Sequence, residues 1–196
     1  MKPLILFIAI IASLISFGQT IQYQSLLDTA LSRRGAIFVY SKPIIIHLDK
    51  KNIHKYAENI RELSNQSPDT TAILEIIDNS KLIDTTLWTD KELPNFLLLN
   101  EREETVSKKH ALQKLKISDN KQIRFYRKQI NQYNSREPRD RNIYYFSRPI
   151  FNNAKTFAIV KWDNGYSLLL GGGGISLYKF ENEKWSEVGV ILRYSY

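Results

Sequence analysis

The chain has 196 residues, of which 43% are hydrophobic and 24% charged, and its formal net charge is +8. This length suits a single domain with a substantial core, and the composition is that of an ordinary globular protein. The absence of cysteine excludes disulfides, catalytic thiolates, cysteine-based zinc sites and lipidation at a lipobox cysteine.

Residues 1–18 have the pattern of a secretory signal peptide. Lys2 forms a short positive n-region, residues 4–15 are an apolar h-region, and Ser16 and Gly18 are small residues at the −3 and −1 positions of a cleavage site. The apolar run is short for a membrane anchor, since a span needs about 20 residues. We therefore predict cleavage before Gln19, no transmembrane segment in the mature protein, and export to the periplasm, the cell surface or the medium.

An amphipathic helix is predicted at the start of the mature chain. Its apolar residues follow helical spacing. Arg33 and Arg34 are in its last turn, where cations oppose the helix dipole, and Gly35 is a natural C-terminal stop. The apolar positions are Tyr23, Leu26, Leu27, Ala30 and Leu31.

The remainder of residues 19–141 is predicted to be a mixed α/β part with basic helices. Residues 71–77 suit a helix capped by Asp69, although their isoleucines would also suit a strand; we favour the helix. Two basic helices are separated by Ser118, Asp119 and Asn120. The other predicted elements are strands at 36–40, 44–48, 85–88 and 96–99, a helix along Tyr56, Ile60 and Leu63, a helix at 101–117, and a helix along Ile123, Tyr126, Ile130 and Tyr133.

Residues 142–196 are predicted to form an antiparallel β-meander that follows a polar hinge at 134–142. Asp163-Asn164-Gly165 between two apolar runs is a strong hairpin signal. The glycines at 171–174 are interpreted as a loop or bulge, because a phosphate-binding loop needs a following helix and a lysine. The predicted strands are 142–147, 156–162, 166–170, 175–180 and 185–194. The predicted fold class is α+β, with helices and a few strands followed by this meander, packed as one domain.

The C-terminal region carries a recognisable order of short motifs. Ser147-Arg148-Pro149-Ile150-Phe151 is followed by the glycine run, by Leu177-Tyr178-Lys179 and by Asn182-Glu183-Lys184-Trp185. Over about the last fifty residues this order resembles a group of small uncharacterised exported proteins of Gram-negative bacteria. Its members often carry two cysteines flanking the glycines, which this chain lacks. The resemblance implies export and a C-terminal sheet, and it supplies no activity and no catalytic residue.

Positive charge is concentrated in one segment. Residues 105–148 contain twelve Lys and Arg against three acids, a net charge of +9, so the rest of the chain is near neutral. A basic helical face attracts polyanions, acidic proteins or anionic headgroups; the alternative is a solvated face that keeps the protein soluble. Export argues against cytoplasmic nucleic acid as a target. The candidate binding residues are Arg124, Arg127, Lys128, Arg139 and Arg141.

Other chemistry has weaker support in the sequence. His47, Asp49 and His54 have donor types that metals prefer, but no metal-binding motif is present, and we predict neither a metal nor a cofactor. No Gly-x-Ser-x-Gly elbow occurs. We therefore favour a non-catalytic binding protein, with a small envelope hydrolase and an inhibitor or immunity-type protein as alternatives.

Overall fold

A computed structural model gives the fold and describes residues 23–32, 34–64, 69–82, 84–165 and 171–195. The described helices are α1 (residues 23–32), α2 (Ile53–Ser64), α3 (Thr70–Asn79), α4 (Lys108–Lys114) and α5 (Asn120–Ser135), with 3-10 turns at Lys50–Asn52 and Pro138–Asp140. The strands are β1 (Phe38–Tyr40), β2 (Leu97–Leu99), β3 (Ile143–Phe146), β4 (Ile150–Phe151), β5 (Phe157–Gly165), β6 (Gly171–Glu181) and β7 (Lys184–Ser195).

All seven described strands belong to one mixed sheet. Their order is β2-β1-β3-β5-β6-β7, and β4 pairs with the start of β5. β1 is parallel to both β2 and β3, whereas β3, β5, β6 and β7 are antiparallel neighbours. The predicted α+β fold with a C-terminal antiparallel meander is confirmed. The N-terminal part contributes two strands to the same sheet.

Helices cover both faces of the sheet. On one face α1 buries Leu26, Leu27 and Leu31 against Val160 and Tyr178 of the long strands. On the other face α2 and α3 pack over β5, β6 and β7, while α5 packs over β1, β2 and β3. Alternate residues of one strand therefore enter different cores, as with Phe38 and Val39 of β1.

Side-chain caps fix where three helices begin. Asp69 accepts hydrogen bonds from the backbone N–H groups of Thr71 and Ala72, Ser107 accepts one from His110, and Asp119 accepts one from Gln122. Residues 71–77 are thus part of a helix, as favoured from the Asp69 cap. Gly35 follows α1 with a φ of +64°, which agrees with its predicted role as a stop.

Three predicted elements of the N-terminal part are wrong or too long. Residues 44–48 and 85–88 are not strands; Ile46 and Trp88 owe their apolar character to burial of irregular chain in the cores. Residues 101–107 are not helical. Their polar groups are bound from outside instead, since the Asn134 side chain pairs with both the N–H and the C=O of Val106 at 2.9 Å.

The glycine run is a regular part of strand β6, contrary to the prediction of a loop or bulge. Asp163, Asn164 and Gly165 pair with residues 173, 172 and 171, so the chain does not reverse at Asn164-Gly165. A Cβ at Gly173 would lie 2.6 Å from the carbonyl oxygen of Trp162 and 2.6 Å from the hydroxyl of Tyr194. Glycine is required there because neighbouring strands and an aromatic ring approach too closely for any side chain.

Two further predictions fall outside the described residues: the signal peptide at 1–18 and the strand at 166–170. Among the helices of the described ranges, none combines the length and the apolar character needed to cross a membrane.

Candidate functional site

The predicted basic surface is built by α4 and α5. The buried side of α5 carries Ile130 and Tyr133, and the Tyr133 ring stacks on Phe38 of β1 with centroids 4.3 Å apart. This contact fixes which side of α5 faces the sheet. The opposite side therefore faces solvent along the whole helix, whose sixteen residues include no Asp or Glu.

Exposed cations form a stripe on that outward side. Lys121, Arg124 and Lys128 are exposed and recur at helical spacing. Phe125 lies among them with 51% of its surface exposed, and its ring meets Tyr126 edge-on at 5.3 Å. The outward side of α5 thus combines three cations with one exposed aromatic ring.

A second group of cations lines a groove between α4 and α5. Lys108, Lys109, Lys116 and Arg127 are all exposed and surround it. Arg127 follows Arg124 by three residues, so the groove adjoins the outward stripe. We call these seven residues the outer cations: Lys108, Lys109, Lys116, Lys121, Arg124, Arg127 and Lys128. Within the described part of the chain, none of the seven forms an ion pair.

The five predicted binding residues have three different surroundings. Arg124, Arg127 and Lys128 belong to the outer cations. Arg139 is exposed on the 3-10 turn beyond α5, with its Nε 3.9 Å from the Asp140 carboxylate. Arg141 is only 4% exposed and is not available at the surface.

Arg141 is a structural residue in this fold. Its guanidinium donates hydrogen bonds to the carbonyl oxygens of Arg102 and Glu104 at 2.9 Å, and to that of Arg136 at 3.2 Å. It also lies 4.8 Å over the Tyr133 ring. Burial raises the pKa of Tyr133, although the neighbouring Arg141 opposes the rise. Arg141 thereby holds the irregular segment before α4 against α5.

Arg148, at the end of the basic segment, is also structural. It pairs with Glu92, lies 3.6 Å from the Asp84 carboxylate, and donates to the Thr86 and Leu87 carbonyls. Burial disfavours ionisation of Glu92, but hydrogen bonds from Arg148 and Thr89 outweigh it and lower the Glu92 pKa. Hydrogen bonds from Thr86, assisted by the charge of Arg148, lower the pKa of Asp84. Arg148 thus fastens residues 84–92 to the sheet.

The structural role of a third arginine, which is partly buried, was not anticipated from the sequence. Arg34 donates to the Ser176 hydroxyl at 2.8 Å and pairs with Glu187 at 3.0 Å, and its guanidinium lies 4.1 Å over Trp162. Its predicted position in the last turn of α1 implied only an interaction with the helix dipole. The sheet partners are more than 120 residues away in sequence, and local patterns carry no information about them.

An open cavity of about 630 Å³ lies beside His47 and Asp49, two of the residues with donor types that metals prefer. The acids around it have structural partners: Asp49 caps a 3-10 turn by accepting from Lys51, and Asp78 pairs with Lys50 and Lys81. These two lysines lower the pKa of Asp78. Among the described residues, no three His, Asp or Glu are placed to hold a metal ion.

Comparisons with models of protein families, with curated proteins and with solved structures found no match. The resemblance of the C-terminal motifs to exported Gram-negative proteins stays a prediction.

Proposed function

We propose that this protein is an exported binding module that uses the outer cations to contact an acidic protein or another polyanion. The signal-peptide pattern of residues 1–18 supports export. The observation that carries the binding proposal is the concentration of seven exposed cations on two adjacent helices and the turn between them, without an ion pair to any described residue.

The energetics of the surface favour an external partner. Seven like charges on neighbouring helical turns repel one another, and like-charge pairs at i,i+4 destabilise a helix. An anionic partner removes this repulsion and is attracted from a distance, which raises its association rate. Arg124 and Arg127 also present planar guanidinium groups that bind carboxylates in a bidentate manner.

The test compares two charge-reversed variants of the purified protein. The first carries Lys121→Glu, Arg124→Glu and Lys128→Glu on the outward side of α5. The matched control carries Lys42→Glu, Lys51→Glu and Lys55→Glu, which are exposed elsewhere on the molecule. Both variants change the net charge by the same amount, so a difference in their binding shows that the position of the substituted cations matters.

Binding of poly-L-glutamate is measured by fluorescence anisotropy at increasing salt. The unmodified protein is expected to lose affinity at least about tenfold between roughly 50 and 200 mM salt. The α5 variant is expected to lose binding, and the control to retain most of it. Binding that ignores salt, or that both variants lose equally, would contradict the proposal. With no binding at all, substrates would be screened at the cavity beside His47.

A further inference from the structure

The groove between α4 and α5, which we call the α4–α5 groove, has an apolar floor inside its ring of cations. It has a volume of about 710 Å³. Leu112, Ile117 and Ile123 line it and are half-buried, so part of each side chain faces the opening. Its surface thus differs from the outward stripe of α5, where only Phe125 is a large apolar residue with substantial exposure.

The local backbone explains why the groove stays open. α4 ends at Lys114, and the chain turns through Lys116, which has a φ of +51°. The N–H of Ile117 then bonds to the carbonyl of Leu112 at 3.2 Å, which brings these two side chains to the same place. Asp119 then starts α5, and Ile123 in the first turns of that helix completes the floor.

Lys116 adopts the left-handed conformation that glycine adopts most easily. For a residue with a Cβ this conformation is sterically unfavourable. A glycine at this position would relieve the strain but would remove one cation from the rim. The conformation follows from the way α4 ends: the N–H of Lys116 bonds to the Gln113 carbonyl at 3.1 Å and that of Ile117 to the Leu112 carbonyl, the two bonds of a Schellman motif.

Charge complementarity defines the occupant. The rim carries Lys108, Lys109, Lys116 and Arg127, and no acid lines the groove among the described residues. The nearest acid in sequence is Asp119, whose carboxylate is engaged in capping α5. The occupant must therefore be anionic. The apolar floor requires apolar side chains as well, which a simple polyanion does not have.

We propose that the α4–α5 groove binds an acidic amphipathic segment of a partner protein, with apolar side chains on the floor and carboxylates at the rim. This inference rests on the proposed function and specifies its partner. A concave groove between two helices suits an inserted peptide face, whereas a flat membrane surface would meet the convex side of α5 around Phe125.

The first experiment uses two synthetic peptides of about 18 residues, long enough for several helical turns. One contains glutamates with leucines at helical spacing, and the other has every leucine replaced by serine. The leucine peptide is expected to bind the protein at least about tenfold more tightly, because burying even one leucine has that effect on affinity. Equal affinities would overturn the inference and leave the proposed function intact. If neither peptide binds, the proposed function fails as well.

A substitution in the floor of the groove tests whether the leucine side chains of the peptide bind there. Ile117→Gln is expected to lower the affinity for the leucine peptide to that for the serine peptide. Lys109→Gln with Arg127→Gln is expected to weaken both peptides. If Ile117→Gln keeps the preference, the leucines bind elsewhere and the inference is wrong. An unchanged urea midpoint shows that each variant is folded.

A labelled protein provides a readout that does not depend on removing floor residues. Because the chain has no cysteine, Gln113→Cys introduces a single thiol in the groove for an environment-sensitive fluorophore, and Thr71→Cys provides a matched label on α3. Only the Gln113→Cys label is expected to respond to the leucine peptide. A response of both labels or of neither would contradict the inference. The inference would also be contradicted if the protein bound phosphatidylglycerol vesicles in preference to the leucine peptide and if Phe125→Ser abolished this binding.

Discussion

Two groups of cations in this protein have the same charge and opposite surroundings. The guanidinium groups of Arg34, Arg141 and Arg148 each lie 4.1–4.8 Å over an aromatic ring, and each donates to several oxygens. The outer cations are exposed to solvent on α4, on α5 and in the turn between them. The first group connects distant segments of the fold, and the second performs no comparable task within the described chain.

The distribution of positive charge along the sequence does not distinguish cations that connect segments of the fold from cations that face solvent. The basic segment 105–148 mixes both groups, because it includes Arg141 and Arg148 as well as all seven outer cations. Lys114 is a further exception, since its ammonium lies 2.5 Å from the Asp90 carboxylate and its side chain is only 13% exposed. The exposed basic surface is therefore smaller than the sequence suggests, and it is confined to α4, α5 and the turn between them.

Substituting Arg148 should have the largest effect on stability. Arg148→Met removes the partner of Glu92 and leaves the carbonyls of residues 86 and 87 without their donor. Breaking a largely buried pair costs about 3 kcal/mol of unfolding free energy. Urea denaturation measures the loss. Lys128→Met is the control, with an expected change within about 0.5 kcal/mol; equal losses in the two variants would erase the distinction between the groups.

Arg141→Met should separate stability from binding. The variant leaves three carbonyl oxygens without their donor, with an expected loss of about 2 kcal/mol. Below the unfolding transition, its affinity for poly-L-glutamate should equal that of the unmodified protein. Reduced affinity in a folded Arg141→Met protein would return this residue to the binding surface, where the sequence placed it.

Sequence patterns were informative where an element's own residues decide its structure. The stripe Ile123–Tyr133 identified α5 and the Asp69 cap identified α3, because helical spacing and capping are local properties. The structural roles of Arg34, Arg141 and Arg148 could not be predicted, because most of their partners lie far away in the sequence. Residues 101–107 were assigned to a helix for the same reason: the bonds from Asn134 and Arg141 that hold them are tertiary.

The glycine run shows a second limit. Glycine and Asn-Gly are turn signals because they tolerate positive φ. Gly173 and Gly174 are instead needed because adjacent strands and the side chains of Tyr194 and Trp162 crowd them. A single sequence does not distinguish a glycine that permits a turn from one that permits close packing.

Lowering the pH should reduce the contribution of the Arg148 ion pairs to the stability of the fold. The pKa values of Glu92 and Asp84 are lowered in the folded protein, so their contribution to stability is present above their unfolded pKa values, about 4. It is lost as the pH falls through the folded values. The stability gap between the unmodified protein and Arg148→Met should therefore narrow from pH 7 to pH 3 in urea denaturation. A gap that is constant with pH would show that Arg148 acts through its carbonyl and aromatic contacts alone.

Neutralising the outer cations should have the smallest effect on stability. Lys121→Gln, Arg124→Gln and Lys128→Gln remove repulsion along α5 and break no ion pair among the described residues. The expected change in the free energy of unfolding is within about 0.5 kcal/mol for each site, and it should diminish with added salt because exposed charges are screened. A loss of more than about 2 kcal/mol for the triple variant would mean that these residues stabilise the fold. In that case the main argument for the proposed binding surface would fail, because its cations would already stabilise the fold.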